Sequence, residues 1–143
     1  MARRPPGAIR AQRWPARKKD VPPARQVSGV PHRTRAAINQ LEARHLWRGA
    51  VAEALHHYER FLRQPGRYLS LPWDDCPCCN PAEARDILGE ALRLLPPAAR
   101  AGLQKIVTPL DAEYLRRTLP DPVAASISPW HAEAWWRQRV RER

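Results

Sequence analysis

No apolar run in the 143-residue sequence approaches the ~18 residues of a membrane-spanning helix. The N-terminus carries basic residues without the apolar stretch of a secretory signal. A soluble, unsecreted, cytoplasmic protein is therefore expected, and Pro5, Pro6, Pro15, Pro22 and Pro23 argue against the amphipathic helix of an organelle transit peptide. Cysteine is scarce and crowded, with all three thiols between positions 76 and 79. A disulfide framework needs an even and dispersed set, so a reducing compartment fits better. Lysine is scarce too, at 3 against 22 arginines, a skew that GC-rich coding produces whether or not phosphate is bound. The net charge of +11 points to an anionic partner class, with nucleic acid first and an acidic protein surface second. Strand patterning is almost missing, no internal repeat occurs, and no complete catalytic or cofactor signature is present. The chain reads as non-enzymatic.

What is abundant at the start is positive charge and proline. Residues 1–31 hold eight basic side chains against Asp20, a net +7 that leaves +4 for residues 32–143. With so little apolar content this segment is expected to be a disordered basic tail, and residues 32–143 a helical domain. Arg3, Arg4, Arg10, Arg13, Arg17, Lys18, Lys19 and Arg25 are the candidates for phosphate contacts, with Trp14 available to stack on a base. The competing reading is a solvated leader whose charge is compositional.

From residue 33 to about 64 the pattern is helical, and Trp47, Ala50, Val51, Ala54, Leu55, Tyr58, Phe61 and Leu62 share one stripe. Ile38 and Leu41 fall outside it, so the first turns either face another neighbour or form a separate helix before Gly49. Pro65-Gly66 ends the segment. Asn80, Pro81 and Glu83 occupy the N-cap, N1 and N3 positions of a further helix, with Ala84, Ile87, Leu88, Ala91, Leu92 and Leu95 on its apolar face. Leu103, Ile106, Val107, Leu110 and Tyr114 keep one phase through Pro109, which is expected to kink or split that helix, with Thr108 capping the new start and Asp111 at its N3. A last helix is expected from 130 to about 142, docked by a narrow stripe of Ala132, Trp136 and Val140. The sum is an all-α fold, a small irregular bundle of four or five helices behind the tail.

Cys76-Pro77-Cys78-Cys79 contains a C-x-x-C and resembles the C-P-x-C turn of zinc knuckles and zinc hooks. That resemblance implies a structural zinc held by Cys76 and Cys79. The remaining ligands would be Cys78 and His57, or a second subunit, since two zinc hooks share one ion and a homodimer would result. A second chemistry is redox, because a C-x-x-C beside a helix N-terminus favours the thiolate, although Asp74 and Asp75 oppose that effect. A third reading is packing alone, which is how free cysteine often behaves. The stretch Ala91 to Leu103 resembles the entry to a sigma-factor helix-turn-helix, but Thr108-Pro109 stands where a recognition helix should follow. Pro77 to Arg85 together with Arg116 to Pro122 is similar to a family of small uncharacterised proteins from high-GC bacteria, with no activity to carry over. The functional expectation is a non-enzymatic interaction module whose tail contacts nucleic acid. The alternatives are a zinc or thiol protein built on the cysteine turn, and a helical protein-protein adaptor.

Overall fold

The structure is a computed structural model that describes residues 23–69, 80–127, 129 and 133–140. Four α-helices, α1 (His32–His45), α2 (Ala50–Leu62), α3 (Pro81–Leu94) and α4 (Pro97–Arg116), form the bundle. A two-residue antiparallel ladder, β1 (Leu119–Pro120) with β2 (Arg139–Val140), closes its C-terminal end. Helix α2 packs chiefly on α3, and α1 on α4.

Of the two arrangements expected for residues 33–64, the structure has the separate helix before Gly49. That glycine sits at φ +85°, the left-handed region, and a Cβ there would lie 3.3 Å from the Ala24 side chain and 3.4 Å from the Arg25 carbonyl oxygen. The corner lets α1 bury Thr34, Ile38, Leu41 and Glu42 on its own face while α2 buries Ala50 through Leu62 on another. Trp47, placed on the core stripe by periodicity, precedes α2 and is 51% exposed. Glu42, 4% exposed, accepts hydrogen bonds from the backbone N–H of Gly49 at 2.7 Å and Val51 at 3.0 Å. A residue of one helix thus satisfies the donors that open the next.

Residues 23–31 were expected to belong to the tail, yet Val27 and Val30 are buried in the common core. Two isolated apolar side chains generate no periodicity, so only the shape of the α1–α2 corner shows where they go.

Helix α3 opens as its sequence requires, with Asn80 Oδ1 accepting from the Ala82 N–H at 2.9 Å and Pro81 at the first helical position. Helix α4 runs through Pro109 as a single element, so of the expected kink or split the split does not occur. Proline there withdraws one i→i−4 bond, and the packing of Leu103, Val107 and Tyr114 holds the helix together across that loss. Thr108 accepts from Gln104 Nε2 instead of capping, and Asp111 turns inward.

Between α3 and α4 lies a buried ion pair. Arg85, 5% exposed, donates Nε to Asp111 Oδ1 at 2.9 Å and Nη2 to Oδ2 at 3.0 Å, while the Tyr58 hydroxyl donates to Oδ1 at 3.0 Å. The Arg85 guanidinium also lies 4.2 Å from the Trp136 ring centroid, so its Nη1, which has no hydrogen-bond partner, faces aromatic density. Gly89 makes this possible, because a Cβ there would stand 2.9 Å from Trp136 Cη2.

Residues 129 and 133 are helical, but the expected terminal helix does not extend to 142: residues 134–140 leave it for a 3-10 turn, Trp135–Arg137, followed by β2. Its physical cause is tertiary. Trp136 Nε1 donates to Asp86 Oδ1 at 2.6 Å, and Arg137 joins the same carboxylate. Arg139 donates to the carbonyl oxygens of Leu115 and Thr118. These bonds outweigh the weak local preference of a short segment. The docking itself is present, reached by a different backbone; Trp130 and Ala132 lie outside the described residues.

Arg117, 3% exposed, donates to the carbonyl oxygens of Leu62, Gln64 and Gly66, so a buried cation closes the C-terminal end of α2.

Breaking a buried pair leaves its partner uncompensated. Arg85→Ala is therefore expected to lower unfolding free energy by about 3–5 kcal/mol in urea denaturation. Replacing both partners, Arg85→Met with Asp111→Leu, should recover most of that loss. A single variant as stable as the parent would show that the pair carries no structural role.

Candidate functional site

Two regions carry the candidate residues. The first is the cleft between α2 and α3, a hollow of about 300 Å³ lined by Trp47, Glu53, His57, Phe61, Asn80 and Glu83 among others. Helical phase puts Glu53 and His57 one turn apart on α2, and the Asn80 cap brings the start of α3 to the opposite wall. Trp47 Nε1 donates to Glu53 Oε2 at 3.2 Å, while His57 Nε2 stands 3.8 Å from Glu53 Oε1. His57 is half-buried here. Cys76, Cys78 and Cys79 lie outside the described residues. Asn80, the residue that follows Cys79, lines the same hollow as His57, so the fold brings together chain positions 23 residues apart. Among the described residues no group of three or more His, Cys, Asp or Glu is close enough to hold a metal ion.

The second region is the α1–α2 corner. Of the residues read as nucleic-acid contacts, Arg25 is described and exposed, whereas Arg3, Arg4, Arg10, Arg13, Trp14, Arg17, Lys18 and Lys19 lie outside the described residues. Arg25 lines two hollows. It shares one with Gln26, Asn39, Glu42 and Arg48, and the other with His56 and Glu59. The His56 imidazole is held below its usual value, by desolvation first and then by Arg25, His57 and Arg60, with Glu59 opposing. The local field on this side is positive.

Elsewhere arginines have partners within the chain, some buried and some at the surface. Beyond the Arg85 and Arg117 networks, Arg93 forms a two-bond pair with Glu90, and Arg116 does the same with Glu113. These hydrogen bonds hold both carboxyls below the usual range. Burial, followed by the neighbouring Asp111 carboxylate, raises the Tyr58 phenol, and burial pushes Tyr114 up to about 12. Neither tyrosine ionises near neutrality, so both act as hydrogen-bond donors: Tyr58 to Asp111 and Tyr114 to the Trp136 carbonyl at 3.0 Å.

Residues 23–69 contain eight Arg or Lys against three acids, a net +5. Residues 80–127 with 133–140 contain eight against seven. The folded part is electrostatically lopsided, and its uncompensated half is the one the basic N-terminal segment joins.

Spacing did not reveal Glu42, Arg85 and Arg117 as buried charges, nor half-buried Asp111 as the partner of Arg85. Periodicity offered one usable signal, since Arg85 falls one residue after Ala84 and three before Leu88, on the apolar side of α3. Comparison with models of protein families, with curated proteins and with solved structures finds no match. No helix among the described residues is long and apolar enough to cross a membrane.

Proposed function

We propose that this protein is a non-enzymatic helical module that binds nucleic acid, with its basic N-terminal segment running along the phosphate backbone. The supporting observation is how charge is partitioned. Arginines of α3, α4 and the C-terminal segment are held by carboxylates, carbonyls or aromatic rings. Residues 1–31 keep eight basic side chains against one acid. Charge that is already paired inside a fold releases no counterions when a polyanion arrives, whereas unpaired charge does. The arginines Arg3 through Arg25, with Lys18 and Lys19, hold phosphates, and Trp14 stacks on an exposed base. An acidic protein surface would draw on the same charges without the stacking.

If about six duplex phosphates are held, log affinity falls with log salt at a slope of about −5. Changing the seven basic residues between positions 3 and 19 to Gln in the full chain should flatten most of that slope, as read by anisotropy of a labelled DNA duplex. Equal affinity and slope for parent and variant would remove the tail from the reading.

A second reading rests on the α2–α3 cleft. His57 faces a hollow whose wall includes Asn80, the residue after Cys79, and Glu53 and Glu83 line it too. We infer that Cys76 and Cys79, with Cys78 and His57 or a second subunit completing the set of four, hold a structural zinc at this end of the bundle. Metal analysis of protein purified without added metal tests it. Zinc at one equivalent, lost in Cys76→Ser, Cys79→Ser and His57→Ala, is the expected result. Loss of the cysteines should also cost several kcal/mol, because metal-binding free energy is folding free energy here. Metal-free parent protein would end this reading. Rapid alkylation of one thiol in such metal-free protein would point instead to redox chemistry.

A further inference from the structure

The basic segment does not reach the bundle at an arbitrary point. Its last basic residue, Arg25, is seated on the α1–α2 corner, where an ideal Cβ on Gly49 would lie 3.4 Å from the Arg25 carbonyl oxygen and 3.5 Å from its nitrogen. Any side chain at position 49 would push that backbone away, so the left-handed glycine fixes where Arg25 stands. Arg48 is the neighbouring residue, exposed like Arg25, and both line a hollow of about 300 Å³ with Gln26 and Asn39. Among the described residues neither arginine has a carboxylate within ion-pairing reach, in contrast to Arg85, Arg93, Arg116 and Arg137. Glu42 also borders the hollow, but its two oxygens are occupied by the N–H groups of Gly49 and Val51. Its charge is thereby set against the positive end of α2.

We propose that this corner is a phosphate-binding notch of the folded domain, in which Arg25 and Arg48 take consecutive backbone phosphates of nucleic acid, with the amides of Gln26 and Asn39 hydrogen-bonding the same strand. The inference rests on the nucleic-acid reading above and extends it from the N-terminal segment onto the bundle. A guanidinium suits this task because its planar fork can bind a phosphate through two parallel N–H donors. The notch holds the strand in a fixed register relative to the helices, whereas the N-terminal segment supplies attraction without register. The free charge nearby, including Arg60, adds to the same field.

The test uses the full chain and two double variants matched in net charge, Arg25→Gln/Arg48→Gln and Arg93→Gln/Arg116→Gln, titrated with a labelled DNA duplex over a salt series. Each lost phosphate contact makes the slope of log affinity against log salt shallower by about 0.9. The first variant should therefore lose about 2 units of slope, with its thermal midpoint unchanged because neither side chain has an ion-pair partner among the described residues. The second should keep the parental slope. If the first variant binds as the parent does, or if both variants weaken equally, the notch is overturned while the N-terminal segment keeps its role. A parent chain that does not bind the duplex at all would overturn both.

Discussion

Arg85 and Asp111 join α3 to α4 inside the bundle, and most of the C-terminal half is arranged around keeping that pair satisfied. Tyr58 brings α2 to the same carboxylate, so three helices meet at one charge. Over the guanidinium lies Trp136, which reaches it only because Gly89 has no side chain and because Asp86 accepts from the indole N–H. Trp135 then packs edge-on to Trp136 and beside Tyr114, and the Tyr114 hydroxyl ties the C-terminal segment back to α4. A desolvated charge is tolerable only when every face of it is occupied. That requirement explains why the chain after β1 folds back over α3 and pairs β2 with β1 rather than continuing as a helix.

The same logic separates the two halves of the molecule. Arg117 serves as a cap for α2, Arg137 and Arg139 hold the C-terminal segment, and Arg93 and Arg116 bind carboxylates one turn away. Charge used in this way is unavailable to a partner. On the α1–α2 side the one charged residue buried in the architecture is an acid, Glu42, and among the described residues basic side chains outnumber acids there by five, with Arg25 and Arg48 exposed. The +11 of the sequence is thus a poor measure of binding capacity, while its distribution is informative.

Legibility followed the range of the interactions. Helix α3 could be placed from Asn80, Pro81 and Glu83 because a cap is a contact between residues two or three apart. The apolar faces of α2 and α4 were visible for the same reason, through spacing within one helix. Arg85 with Asp111 is a contact over 26 residues, and Arg117 with Leu62 one over 55. A charged residue on a helix looks solvated until its distant partner is known. The C-terminal segment misled because its tryptophans and arginines suit an amphipathic helix equally well; what decides its backbone is the position of Asp86 and of the carbonyls after α4. For the candidate sites, the fold places His57 beside Asn80 and Arg25 beside Arg48, juxtapositions that spacing alone could not supply.

If the proposed function holds, nucleic acid meets the α1–α2 side and leaves alone the side whose arginines are paired within the chain. Amide chemical-shift mapping by NMR, with a short DNA duplex titrated into the full chain, tests this most directly. Perturbations should concentrate at residues 24–26, 39 and 47–49 and in the basic N-terminal segment, with the amides around Arg93, Arg116 and Arg139 unmoved. Perturbations confined to α3, α4 and the C-terminal ladder would contradict it.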